Sequence, residues 1–122
     1  MKEDAKEAGR RGEELACRLL EEEGYLIEKR NFRFSHGEID IIAKTGDILV
    51  FVEVKTRTND LFGPPEAAIT KAKQKQIIKI AKAYLYINEI HDTQCRFDVI
   101  AVNMEDYINP KLNHIVNAFI DM

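Results

Sequence analysis

The sequence predicts an α/β fold, a central mixed β-sheet flanked by helices, with the element order α-β-β-β-α-β(-β). Three observations predict it. Apolar residues recur at helical spacing in two separate stretches, near the N-terminus and again over residues 64–87. Between them, residues 37–57 read GEIDIIAKTGDILVFVEVKTR and alternate with the period of two expected of a strand hairpin. After the second helical stretch comes RFDVIAV, a short apolar run of strand length. A chain that leaves a sheet for a helix and then returns builds a mixed sheet with helices on its faces.

Each element can be justified in turn. Residues 4–23 place Ala5, Ala8, Gly12, Leu15, Ala16, Leu19 and Leu20 on one helical stripe, and Gly24 fits a C-terminal stop. YLIEKRNFRF reads as a strand with an irregular middle, set off by Gly37 from the hairpin. In the hairpin, Ile39, Ile41 and Ala43 share a face with Ile48, Val50, Val52 and Val54, provided that Ile41 lies opposite Val50 across a turn at Lys44-Thr45-Gly46-Asp47. The other face carries Glu38, Asp40 and Ile42 against Leu49, Phe51, Glu53 and Lys55. That face is apolar near the turn and charged at its far end. In this register Asp40 faces Phe51, with Glu53 as its diagonal neighbour about 7–8 Å away.

A polar loop follows, and Gly63-Pro64-Pro65 opens the second helix, which runs to Ile87 with Ala68, Ile69, Ala72, Ile80, Ala81, Tyr84 and Leu85 packing inward. RFDVIAV is the next strand, with Arg96 and Asp98 bracing the sheet. Residues 105–113 read as loop and HIVNAFI, residues 114–120, as a last, edge strand.

The 122 residues suit one domain, 1–122, with a single core. At 45% hydrophobic with few Pro and Gly, the composition is that of a globular chain. No apolar run approaches the roughly 18 residues of a membrane span. MKEDAKEAGRRGEE has no hydrophobic segment behind its charges, so it does not read as a secretory signal. Cys17 and Cys95 lack CxxC spacing and read as free thiols in a reducing cytoplasm, the expected location. His36, His91 and His114 form no ligand pair, which argues against zinc.

The charged end of the hairpin carries the functional reading. Cleaving a phosphodiester needs an activated water and a counter-charge on the phosphate, which Mg²⁺ or Mn²⁺ supplies when carboxylates hold it and leave positions open. Asp40 and Glu53 are the metal-binding carboxylates, the carbonyl of Val54 a third ligand, and Lys55 the amine that orients the attacking water. The alternative is a solvated ribbon end in which Lys55 pairs with Glu53 or Asp40.

A net charge of −3 tells against coating nucleic acid by bulk attraction, but the charges are unevenly placed. Acids crowd the first helix, whereas none occurs between Glu66 and Glu89. Lys71, Lys73, Lys75 and Lys79 in that interval are candidates for phosphate contact, with a solvated helix face as the alternative. Arg30, Arg33 and Arg57 flank the pocket in sequence and offer planar forks to backbone oxygens. His36 reads as a turn residue.

GEID, FVEVKTR and the spacing between them resemble the PD-(D/E)xK signature of restriction-endonuclease-like nucleases. More narrowly, RRGEELACRLLEEEGYLIEKRNFR, GEIDIIA, FVEVKTR, FGPPEAAITKAKQKQI and RFDVIAV, in that order, resemble the YraN-like family, which is similar to archaeal Holliday junction resolvases. The resemblance implies a restriction-endonuclease-like fold. It maps Asp40, Glu53 and Lys55 onto the motif's metal ligands and catalytic lysine, and Glu13 onto a helical glutamate beside the metal. It makes Gln74 an accessory candidate, with an ordinary solvated helix position as the favoured reading. One departure is that Ile39 stands where the motif has proline. The implied function is a Mg²⁺-dependent endonuclease acting on structured or branched DNA, and resolvase-like members act as two-fold dimers, which points to a homodimer. The alternative is a nucleic-acid-binding or scaffold protein of the same fold with little or no cleavage.

Overall fold

The computed structural model describes residues 5–58 and 69–121. Within them the order is α1 (Ala5–Glu22), β1 (Leu26–Phe34), β2 (Gly37–Thr45), β3 (Ile48–Arg57), α2 (Lys71–Ile87), β4 (Gln94–Asn103) and β5 (Lys111–Phe119). The strands form one sheet in the order β1-β2-β3-β4-β5, with β3 and β4 parallel and every other pair antiparallel. This is the expected mixed sheet between helices. No described helix is long and apolar enough to cross a membrane.

The two faces bury separate cores. Ala16, Cys17 and Leu20 of α1 pack on Ile41, Ala43, Val50, Val52, Ile100 and Val102. On the opposite face, Ile77, Ile80, Ala81 and Tyr84 of α2 pack on Ile39, Ile42, Leu49 and Phe51. Both helices end as their sequences direct. Gly24 takes φ 92°, and the amides of Gly24 and Tyr25 close back on the carbonyls of Glu21 and Leu20. At the start of α2, Thr70 Oγ1 accepts the Lys73 amide at 3.1 Å.

Four expectations are corrected. First, the hairpin register is shifted by two residues: Ile41 pairs with Val52 and Ala43 with Val50. The strands run to Thr45 and resume at Ile48, so the loop is only Gly46-Asp47, with Gly46 at φ 56°. A shift of two preserves the faces. Second, Ile39 does not share a face with Ile41, because it packs with Ile42 on the α2 side. The alternation breaks at Asp40, whose side chain, rather than a ladder carbonyl, accepts the Val54 amide. On β1, in the register of Asp40, Asn31 takes φ 51°. Third, α2 begins at Lys71 after its Thr70 cap, not at Pro64, and this leaves Ala72 exposed in the first turn. Gly63, Pro64, Pro65, Glu66 and Ala68 lie outside the described residues. Fourth, β5 starts at Lys111, three residues before the expected edge strand, because Lys111, Leu112 and Asn113 pair with β4.

Arg96 and Asp98 do brace the sheet. Asp98 is fully buried and accepts two hydrogen bonds from Arg96 at 2.9 Å and one from the Asn117 amide at 2.9 Å. His114 Nε2 lies 2.7 Å from Asp98 and its Nδ1 3.0 Å from Glu23, so the network ties β4 to β5 and to the end of α1.

Candidate active site

The break at Asp40 shapes the site. Asp40 and Glu53 are both at least nine-tenths buried. The observed register, continued one residue past Ile41–Val52, sets them opposite each other instead of diagonally. Oδ2 of Asp40 accepts the Val54 amide at 2.8 Å, so Val54 enters the site through its N–H. Burial, a hydrogen bond with Glu53 and the Glu53 charge push the Asp40 carboxyl up to about 9. Without a cation, Asp40 therefore keeps its proton at neutral pH.

Two more acids gather at Asp40, in a group that does not include Glu53. Glu13 projects from α1, and one oxygen each of Glu13, Glu38 and Asp40 lie within 4.8 Å of one another. Glu13 Oε1 also accepts from Asn31 Nδ2 at 2.8 Å. The approach of α1 depends on Gly12, because a Cβ there would collide with Thr56 Oγ1 on β3. The helical glutamate is thus placed by its glycine neighbour. Lys55 lines a pocket of about 240 Å³ with Glu13, Asp40, Val54 and Thr56. It does not pair with Glu53: the lysine next to that carboxylate is Lys73 of α2, at 3.5 Å.

The remaining candidates are spread out. Arg33 Nε lies 3.1 Å from Glu38, and Arg30 lies 3.0 Å from Glu14. Arg57, at the end of β3, is half-buried, with one guanidinium nitrogen lacking a partner among the described residues. Lys71, Lys75 and Lys79 are exposed and make no ion pair among the described residues. Gln74 donates to the Ile69 carbonyl at 3.1 Å and thus closes the start of α2. His36 occupies the β1–β2 turn, as expected.

The sequence reading missed Glu38 as a ligand candidate and Gln76 as a site neighbour. Glu38 carried a usable signal, since it lies two residues before Asp40 on one strand and so can share its side. Gln76 carried none beyond its position on the helix.

The donor set is all carboxylate oxygen, with no Cys or His. That chemistry fits a hard divalent cation such as Mg²⁺ or Mn²⁺ and not zinc. An open mixed sheet with a helix on each face, and acids from one helix and one strand gathered at one point, defines an α/β protein with a candidate divalent-cation site. The chain belongs to the uncharacterised protein family UPF0102, which matches residues 12–102 and is the YraN-like family its motifs resemble. It is 51% identical over 118 residues to a UPF0102 protein of Pelobacter propionicus, covering 95% of this chain and 84% of the relative. It is 47% identical over 118 residues to one of Chlorobium chlorochromatii, covering 93% and 91%. With one of Clostridium perfringens it shares 44% over 120 residues, covering 98% of each.

Proposed function

We propose that this chain is a Mg²⁺- or Mn²⁺-dependent nuclease that hydrolyses phosphodiester bonds in DNA. The observation that carries the reading is the buried Asp40, which has oxygens of Glu13 and Glu38 within 4.8 Å and the buried Glu53 opposite it on β3. Three acids this close, with a fourth buried against Asp40, are costly to hold without a cation, and Lys73 and Arg33 offset only part of that cost. Glu13, Glu38, Asp40 and Glu53 are the carboxylates offered to the ion, and the Val54 carbonyl is the proposed neutral ligand. When bound, the ion would polarise a phosphate oxygen and acidify a water. Lys55, in the same pocket, orients that water and places positive charge beside the phosphate. Arg30, Arg33, Arg57 and the lysines of α2 hold the flanking backbone, an interaction that weakens as salt rises.

The finer substrate, structured or branched DNA, and the homodimer that would match it rest on the resemblance to junction resolvases. So does a cytoplasmic location, together with the two free cysteines. The test is incubation of the purified protein with labelled junction, flap, linear and single-stranded DNA, with and without Mg²⁺ or Mn²⁺, beside Asp40→Asn and Glu53→Gln. Metal-dependent products from wild type alone support the reading. Binding by all three proteins with cleavage by none favours a nucleic-acid-binding protein of the same fold.

A further inference from the structure

Beside the acid cluster, between the β1–β2 turn and the first turns of α2, lies an open cleft of about 430 Å³. Arg33, Ser35, His36, Gly37 and Glu38 line it from the β1–β2 side, and Lys73 and Gln76 from α2. A Cβ on Gly37 would sit 2.7 Å from both Gln76 Nε2 and Ile80 Cδ1, so a larger residue there would have to turn the Gln76 and Ile80 side chains aside. Each cleft cation also touches an acid of the candidate metal site: Arg33 lies 3.1 Å from Glu38, and Lys73 3.5 Å from Glu53. The cleft and the acid cluster therefore share a wall. Arg33 faces water at 81% exposure, so its pair with Glu38 is easily exchanged for another anion. The first turn of α2 holds no acid, and its positive end adds to Lys73.

We propose that this cleft is a nucleotide subsite, which takes the nucleotide next to the bond that is cut. It rests on the nuclease reading of the adjoining acids. Arg33 and Lys73 hold the nucleotide's phosphate, and His36 and Gln76 meet its sugar and base. The volume lies within the roughly 300–1,000 Å³ of sites that take small ligands. Neither His36 nor Gln76 has a hydrogen-bond partner among the described residues, so an imidazole face and a full amide are open to a base. The charges explain the order of events. Arg33 and Lys73 are balanced by Glu38 and Glu53; a divalent cation on the acids would leave the cleft net positive and tighten its hold on phosphate.

The test is an amide-shift titration of the full chain by nuclear magnetic resonance, with thymidine 3′,5′-bisphosphate as probe, in EDTA and in Ca²⁺. The proposal expects saturable shifts at Arg33, His36, Gly37, Lys73 and Gln76, tighter in Ca²⁺. Inorganic phosphate should move Arg33 and Lys73 but not His36 and Gln76. His36→Ala and Gln76→Ala should each weaken the bisphosphate about fivefold, the worth of one hydrogen bond, with the rest of the spectrum retained. Shifts that are absent, that fall on Lys79 and Lys82 instead, or that phosphate alone reproduces in full overturn the subsite. Mn²⁺ broadening of Glu13, Glu38 and Asp40 is read separately. Its absence alongside cleft shifts removes the nuclease reading and keeps the cleft; its presence without cleft shifts removes the cleft alone.

Discussion

The backbone amide of Val54 donates to Oδ2 of Asp40 at 2.8 Å, where a ladder carbonyl would ordinarily accept. This one bond turns Ile39 to the α2 face, holds the Asp40 carboxylate between strands and brings it against Glu53. Burial and Glu53 make Asp40 hard to ionise, and the Val54 amide opposes them only in part, which has a measurable cost.

The folded Asp40 keeps its proton up to about pH 9, while the unfolded chain releases it near 3.8. Between those values the folded state binds more protons, so stability falls as pH rises. Asp40→Asn keeps an acceptor for Val54 and removes the titration. In EDTA it should melt higher than wild type at pH 8, by about 3–6 °C, with the gain shrinking toward pH 5. Melting curves that coincide at both pH values, or a variant that melts lower, would contradict the assignment.

Glu38 is distinguished from a surface pair by comparing it with its own partner. Glu38→Gln should weaken Mn²⁺ binding about 10–100-fold, followed by electron paramagnetic resonance of the free ion. Arg33→Gln, which leaves Glu38 in place, should change it little. Equal effects from the two variants would mean that Glu38 serves only its salt bridge.

The approach of α1 to β3 at Gly12 and Thr56 sets where Glu13 lies. Gly12→Ala should cost about 1–3 kcal/mol by overpacking, measured by urea unfolding. Adding Thr56→Ala removes the colliding hydroxyl and should recover much of the loss. A single variant as stable as wild type would show that the helix is free to lie elsewhere.

His114, held by Asp98 and then by Glu23, has its pKa raised above 6.5. Its contribution to stability is complete below that unfolded value and fades as pH rises through the folded one. His114→Gln should therefore lose more stability at pH 5.5 than at pH 9.5. A loss that is the same at both ends would remove the charged imidazole from the network.

The sheet and its helices were legible because periods of 2 and 3.6 residues leave clear traces in an apolar pattern. The hairpin register was not, since several turns around Gly46 satisfy the same alternation and only backbone geometry selects the two-residue loop. The start of α2 was read at the proline pair, but Thr70, whose hydroxyl accepts the Lys73 amide, marks where the helix begins. Asp40 and Glu53 were legible as the charged end of one face. Glu38 escaped because its closeness to Glu13 depends on how α1 crosses the sheet, a tertiary matter decided at Gly12. Gln74 and Gln76 are the same residue type two positions apart, and only the helix phase turns the second toward the cleft.

The most direct measurement is a calorimetric titration of the metal-free protein with Mn²⁺ near pH 7, in two buffers of different ionisation enthalpy. The account predicts saturable binding that releases about one proton, the one held by Asp40, and severe loss of binding in Asp40→Asn and Glu53→Gln. Absence of binding in the wild type, or binding that survives both substitutions unchanged, would contradict it.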